Sequence, residues 1–385
     1  MPRVGSRVTD ELAARLARDG FDVLHLHAHP KRPVPPHVLN AADLAARTNS
    51  VAPSRGLPSL REAVARATAE ELGRAVDAEA EVLITAGGMQ ALDLAFDAVL
   101  SAGDEVLACA PGFFVEGVVE TRGARLVHVP ATLEDSYAPD WAAFERAVTP
   151  RTRAVLVITP GNPTGYVYST GDVETLAELA ERHNLLVISD ESYDRFVYDG
   201  ARHVSPCSHP RLAARSVLIR SFTKSFAMPG WRVGYIVGPA PLIDGCVKLL
   251  EWSALYGSAV PQAAAEAALS GPQDWLRDVA IEFQQRRDQL APALVDMGLP
   301  TVRPRGGPFL FPRVAAFGGD AEIADRLLRG YGIAVVAGSL LHGPGHIRLP
   351  IGGDADTIEQ LIERLRAAFG PGPSAEPAAA ELVRG

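Results

Sequence analysis

Residues 216–237 read Ser-Val-Leu-Ile-Arg-Ser-Phe-Thr-Lys-Ser-Phe-Ala-Met-Pro-Gly-Trp-Arg-Val-Gly-Tyr-Ile-Val. An apolar run at 216–220 ends in a polar turn that carries Lys224. A second run, 233–237, follows a Met-Pro-Gly turn. Short aliphatic runs bounded by Ser, Pro and Gly are strand signals. Working outward, runs of the same kind recur at 81–85, 105–109, 125–129, 154–158 and 185–189. Helical patterns at 88–100, 140–148 and 172–183 lie between them. Strands that alternate with helices predict an α/β chain with a mostly parallel, seven-stranded sheet covered on both faces.

Beyond residue 270 the rhythm changes. A long helix near 273–297 precedes short strands near 301–303, 309–313, 333–336 and 346–349, and a helix follows at 354–369. This pattern predicts a smaller α+β domain. The division expected is an N-terminal segment joining the small domain (1–45), a large domain (46–270), the small domain (271–370) and a Pro/Ala-rich disordered tail (371–385). Residues 1–20 read as a short amphipathic helix, and the proline-rich stretch 30–36 as an extended crossing.

The 385 residues are 47% hydrophobic, enough for a sizeable core, and carry a net charge of −9 without a basic block. Nucleic-acid and anionic-membrane partners are therefore not expected. The three cysteines, Cys109, Cys207 and Cys246, lack metal-ligand spacing and disulfide arithmetic, which fits a reducing compartment. No apolar signal core opens the chain and no run is long enough for a membrane helix, so a cytoplasmic location is expected.

In open α/β sheets, ligands gather where loops leave the carboxyl ends of strands. The chemically unusual residues fall there. Gly87-Gly88-Met89 follows the first strand and Pro111-Gly112-Phe113 the second. Asn162-Pro163-Thr164-Gly165 follows the fourth, Asp190 ends the fifth, and Ser221 through Lys224 end the sixth. A glycine turn into a helix is commonplace, yet a helix N-terminus suits phosphate. The segment is neither a Walker loop nor the dinucleotide fingerprint. An acid at a strand end is often a helix cap. Set against a pyridine-type nitrogen at about 4 Å, however, it is worth roughly 4 kcal/mol at an effective dielectric near 20. That is about three pKa units, enough to keep the ring protonated. Most lysines only solubilise a surface. One flanked by apolar residues loses its proton more readily and can form a Schiff base. Arg232, eight residues on, offers a bidentate fork for phosphate or an ordinary strand-edge ion pair.

Residues 221–235, with NPTG and DESY upstream, resemble the lysine signature of the class I/II aminotransferases, pyridoxal 5′-phosphate enzymes of fold type I. The resemblance runs from about residue 20 to 369. It implies that Lys224 forms the Schiff base and shuttles the proton, and that Asp190 partners the pyridine nitrogen. Tyr193 and Asn162 would bond the ring oxygen, and Phe113 would stack on the ring. Gly88, Met89, Ser221 and Arg232 would hold phosphate. Arg348 would clamp the substrate carboxylate, with Asn162, Ala28 and His29 at the substrate. It implies a homodimer acting on an amino acid or an amino-acid-derived small molecule, and no metal.

Two positions depart from the family. Val51 stands where a tyrosine usually reaches the neighbouring subunit's phosphate, and Ala28-His29-Pro30 stands where Gly-Glu-Pro is usual. An unusual substrate, or β-elimination, decarboxylation or oxidative deamination on the same fold, are the alternatives. His25, His27 and His29, alternating on one strand face, suggest a metal-dependent hydrolase. Ser221-x-x-Lys224 also fits the penicillin-binding acyl-enzyme motif, but lacks its K-T-G and S-D-N partners. A cofactor-binding sensor without catalysis is a third rival.

Overall fold

A computed structural model describes residues 5–370; the tail expected at 371–385 lies outside the described residues. The central sheet has seven strands. In spatial order they are Val82–Thr85, Gly234–Val237, Ser216–Ser221, Leu186–Asp190, Thr152–Ile158, Glu105–Ala110 and Arg125–Pro130. Gly234–Val237 runs antiparallel to both neighbours, and the other pairs are parallel. Strands such as Val82–Thr85 and Ser216–Ser221 are buried along their whole length, as a sheet covered on both faces requires.

Sequence signals account for the helices. Thr170–Arg182 opens on a capping box, in which Ser169 and Asp172 each bond the other's backbone. The helix Gly88–Val99 starts directly after the glycine turn, and the Gln90 amide oxygen accepts the Ala86 N–H at 2.6 Å. Leu92 and Phe96 from this helix bury against Ile188, Ile219 and Ile236 on one sheet face. Leu176 and Ala180 of Thr170–Arg182 cover Val155 and Val187 on the other.

The C-terminal part builds a three-stranded antiparallel sheet from Phe309–Leu310, Ile347–Pro350 and Val336–Ala337. The strand expected at 301–303 does not form. Pro304 follows it, and the Arg303 side chain is drawn to Asp288 at 3.0 Å. Pro308 and Pro312 bracket the next strand and limit it to two residues by removing N–H donors. The single helix expected at 273–297 is a short 3₁₀ turn, Asp274–Leu276, and then a helix, Val279–Asp296.

At the N-terminus, Gly5–Arg18 is helical. The chain then joins the C-terminal part through backbone bonds: Leu24 N–H to Gly332 O, and a two-way bridge between His27 and Gly352. The next helix, Pro36–Thr48, packs instead on Ala259–Ser270 beside the large sheet. No helix of the described residues is long and apolar enough to cross a membrane.

Candidate active site

Asp190 sits at the carboxyl end of its strand and is only 6% exposed. Its Oδ1 accepts the Ser192 backbone N–H at 3.0 Å and the Ser192 hydroxyl at 2.6 Å. Burial raises the carboxyl above its ordinary value. The Ser192 bonds oppose that rise and the adjacent Glu191 charge adds to it. A buried carboxylate in this condition favours a cationic partner facing it.

Strand Ser216–Ser221 runs beside it and feeds the one-turn helix Phe222–Ser225, which carries Lys224. The Ser221 hydroxyl accepts the Thr223 N–H at 3.2 Å and so fixes the turn. Ser225 donates to Asp194, which ties the lysine turn to the Asp190 segment. The chain has three lysines. Of the other two, Lys248 is exposed and pairs with Asp244, and Lys31 lies in the proline-rich crossing.

Gly88, Met89, Phe113, Asn162, Asp190, Tyr193, Ser221, Lys224 and Arg232 all line one cleft, joined by Leu92, Ile158, Ser192 and Thr223. At one end the N-terminus of helix Gly88–Val99 faces Ser221, Thr223 and Arg232. Arg232 donates to the Thr223 hydroxyl at 3.1 Å, and Ser221 donates to that hydroxyl at 2.9 Å. A Cβ on Gly87 would lie 2.5 Å from Arg232 Nη2, so only glycine allows the guanidinium to lie over this turn. The acid, Asp190, lies among the other lining residues. Thr223 and Ser192 were within the quoted motifs and went unassigned.

Beyond the cleft floor, Asn162 donates to the Tyr193 hydroxyl at 3.3 Å and accepts from Arg348 at 3.1 Å. Arg348 is buried between the rings of Phe309 (4.7 Å) and Phe114 (5.7 Å), and its Nε has no hydrogen-bond partner among the described residues. Burial lowers its basicity. A desolvated guanidinium with an unsatisfied donor calls for an anion.

Ala28 and His29 are half-buried in a bend. His29 is lowered from its usual range, by burial first, with the Lys224 charge adding. His27 is lowered to about 4 by burial and the neighbouring cations, among them Lys224. Both rings therefore stand near the lysine and are neutral at neutral pH. The three-histidine strand face does not form. The chain is strand-like only at His27 and then bends, and His25 is exposed. Among the described residues, His25, His27 and His29 are not a group close enough to share an ion.

Behind the cleft lies a charge network that the sequence reading missed. Glu191 is fully buried and accepts from Ser189, Ser205, His203 and Arg220 at 2.7–2.8 Å. Arg220 also reaches Glu71 and Asp194. The signal was available: an acid and an arginine each adjoin a proposed site residue in fully buried strand ends.

The sequence matches the model of the family described as aminotransferase class I and II over residues 25–365. It is 36% identical to a probable aspartate/prephenate aminotransferase of Thermus aquaticus over 93% of this chain and 94% of that protein. It is 38% identical to an arginine–pyruvate transaminase of Pseudomonas aeruginosa over 87% of each. The solved aspartate aminotransferase of Thermus thermophilus with maleate superposes with a TM-score of 0.89 at 33% identity, covering 96% of this chain and 97% of that one. The chain belongs to the class I and II aminotransferases, enzymes that transfer amino groups.

Proposed function

We propose that the cleft holds pyridoxal 5′-phosphate through a covalent bond to Lys224 and moves the amino group of an α-amino acid to a 2-oxo acid. One observation carries this reading. Residues from five separate strand ends converge on one cleft, with phosphate-type donors at one end and the buried acid Asp190 among the other lining groups. The donor set fits the cofactor. The helix N-terminus, Ser221, Thr223 and Arg232 suit a phosphate dianion, and Asp190 suits a protonated ring nitrogen.

When bound, pyridoxal phosphate supplies an electron-accepting heterocycle that stabilises negative charge developing at the substrate Cα. The chain supplies the rest. Asp190 keeps the ring nitrogen cationic, and Ser192 orients the Asp190 carboxyl. Phe113 covers one ring face, and Tyr193 and Asn162 bond the ring oxygen. Arg348 holds the α-carboxylate that donor and acceptor share. The Lys224 amine carries the proton removed from Cα.

Two copies of the chain pair in this reading. Val51, Trp252, Leu255 and Tyr256 are 62%, 93%, 56% and 51% exposed. The pairing of Val51 with Ser258 places Val51 beside the segment that carries Leu255 and Tyr256. Exposed large apolar side chains this close in the chain favour a covering partner.

A single-turnover reaction tests the activity. With one amino acid and no 2-oxo acid acceptor, the expected product is one 2-oxo acid per bound cofactor, with no ammonia. Continuous release of ammonia, pyruvate, CO2 or peroxide would replace this reading with elimination, decarboxylation or oxidation.

A further inference from the structure

Glu116, His128 and His342 are far apart in the chain and meet where the loop after strand Glu105–Ala110 touches the C-terminal part. We infer that these three side chains form a binding site for a divalent transition ion of the Zn2+ class, outside the cofactor cleft.

The three ligand atoms lie within 4.8 Å of one another. Glu116 Oε1 is 2.5 Å from His342 Nε2 and 3.8 Å from His128 Nε2. The two imidazoles stack with centroids 3.7 Å apart. Around one tetrahedral zinc, with bonds near 2.0–2.2 Å, ligand atoms stand roughly 3.4 Å apart. Rotations of the three side chains span the difference. Two imidazoles and one carboxylate are the donor types that favour zinc over magnesium or calcium. The three side chains are 23–38% exposed, which leaves a fourth coordination place for water.

The other cluster with metal-type spacing, Glu71, Glu191 and His203, differs in kind, because Arg220 already bonds both of its carboxylates. Among the described residues, the ion-pair partners of Glu116 are these two histidines, with no lysine or arginine bonded to it. The backbone also holds His342 in place. Its φ is 57°. Gly343 passes so close to Pro111 that a Cβ there would stand 2.6 Å from the proline ring. Gly112 N–H donates to Leu341 O at 2.9 Å. An ion bound here would reinforce that contact and tie the Phe113 loop to the C-terminal part.

The test is titration of the holoenzyme with Zn2+ by equilibrium dialysis, followed by Co2+ substitution. The wild type is expected to bind one ion per chain saturably, and Co2+ to give the visible absorption of a four-coordinate site. His342→Asn keeps a residue that tolerates the left-handed backbone and removes the imidazole. It is expected to weaken binding by about tenfold or more. His128→Gln and Glu116→Gln should do the same, while His209→Ala, at an unrelated surface pair, should leave affinity unchanged. Absence of saturable binding to the wild type would overturn the inference. So would an affinity that survives all three ligand substitutions, which would place the ion elsewhere, on the cofactor included.

Discussion

Arg348 donates to the Asn162 side-chain oxygen at 3.1 Å while its Nε stays buried with no hydrogen-bond partner among the described residues. One contact aims the guanidinium and the other is left open for an incoming anion. Arg348→Ala removes a charge-assisted bond worth roughly 1.5–3 kcal/mol. The expected result is a fall of about 10- to 100-fold in kcat/KM for amino acids and 2-oxo acids alike, with cofactor retention nearly unchanged. Steady-state kinetics beside a cofactor-binding titration checks both halves.

Gly87 and Arg232 test the phosphate end. Gly87 has φ 82°, and a side chain there would displace the guanidinium. Gly87→Ala is expected to cost about 1–3 kcal/mol of stability, because the extended positive-φ backbone at this position is one that essentially only glycine adopts. It is also expected to weaken cofactor binding by about tenfold or more through loss of a charged donor. Dialysis against free cofactor, with thermal unfolding of the apoprotein, separates the two effects.

The Glu191 network predicts a pH signature. Burial raises the Glu191 carboxyl, but His203 and Arg220 outweigh that and hold it at about 2. A depressed acid contributes stability that is complete above its unfolded value, near 4.5, and is lost as pH falls toward 2. The loss is about 3 kcal/mol. Burial lowers His203, but the Glu191 charge and hydrogen bond outweigh it and leave the imidazole raised, so its share is complete below about pH 6.5 and fades as pH rises through its folded value. Glu191→Gln is expected to cost about 3–5 kcal/mol near neutrality, because buried cations lose their partner, and to flatten the acid limb. Urea unfolding at several pH values reads both.

Much of this site was legible before any coordinates. Asp190 and Lys224 follow short apolar runs, and a polar residue at the end of a buried strand points into the crevice by topology. Gly87 was legible because a turn into a helix at that point requires it. Other features were not. The strand expected at 309–313 forms, but Pro308 and Pro312 cut it to two residues, and 301–303 does not become a strand at all. The bend at Ala28–His29 breaks the alternation that put three histidines on one face. Glu191 and Arg220 stood beside the site residues, but their pairing depends on how adjacent strands register. Glu116, His128 and His342 share no spacing at all, so only the fold brings them together.

The central claim concerns one nitrogen, and the chain offers only three lysines to receive the cofactor. Borohydride reduction of the purified holoenzyme followed by peptide mass mapping reads the attachment directly. The expected result is a pyridoxyl group on the peptide containing Lys224, absent from Lys224→Ala. The same group found on Lys31 or Lys248, or no covalent attachment in a protein saturated with cofactor, would contradict the account.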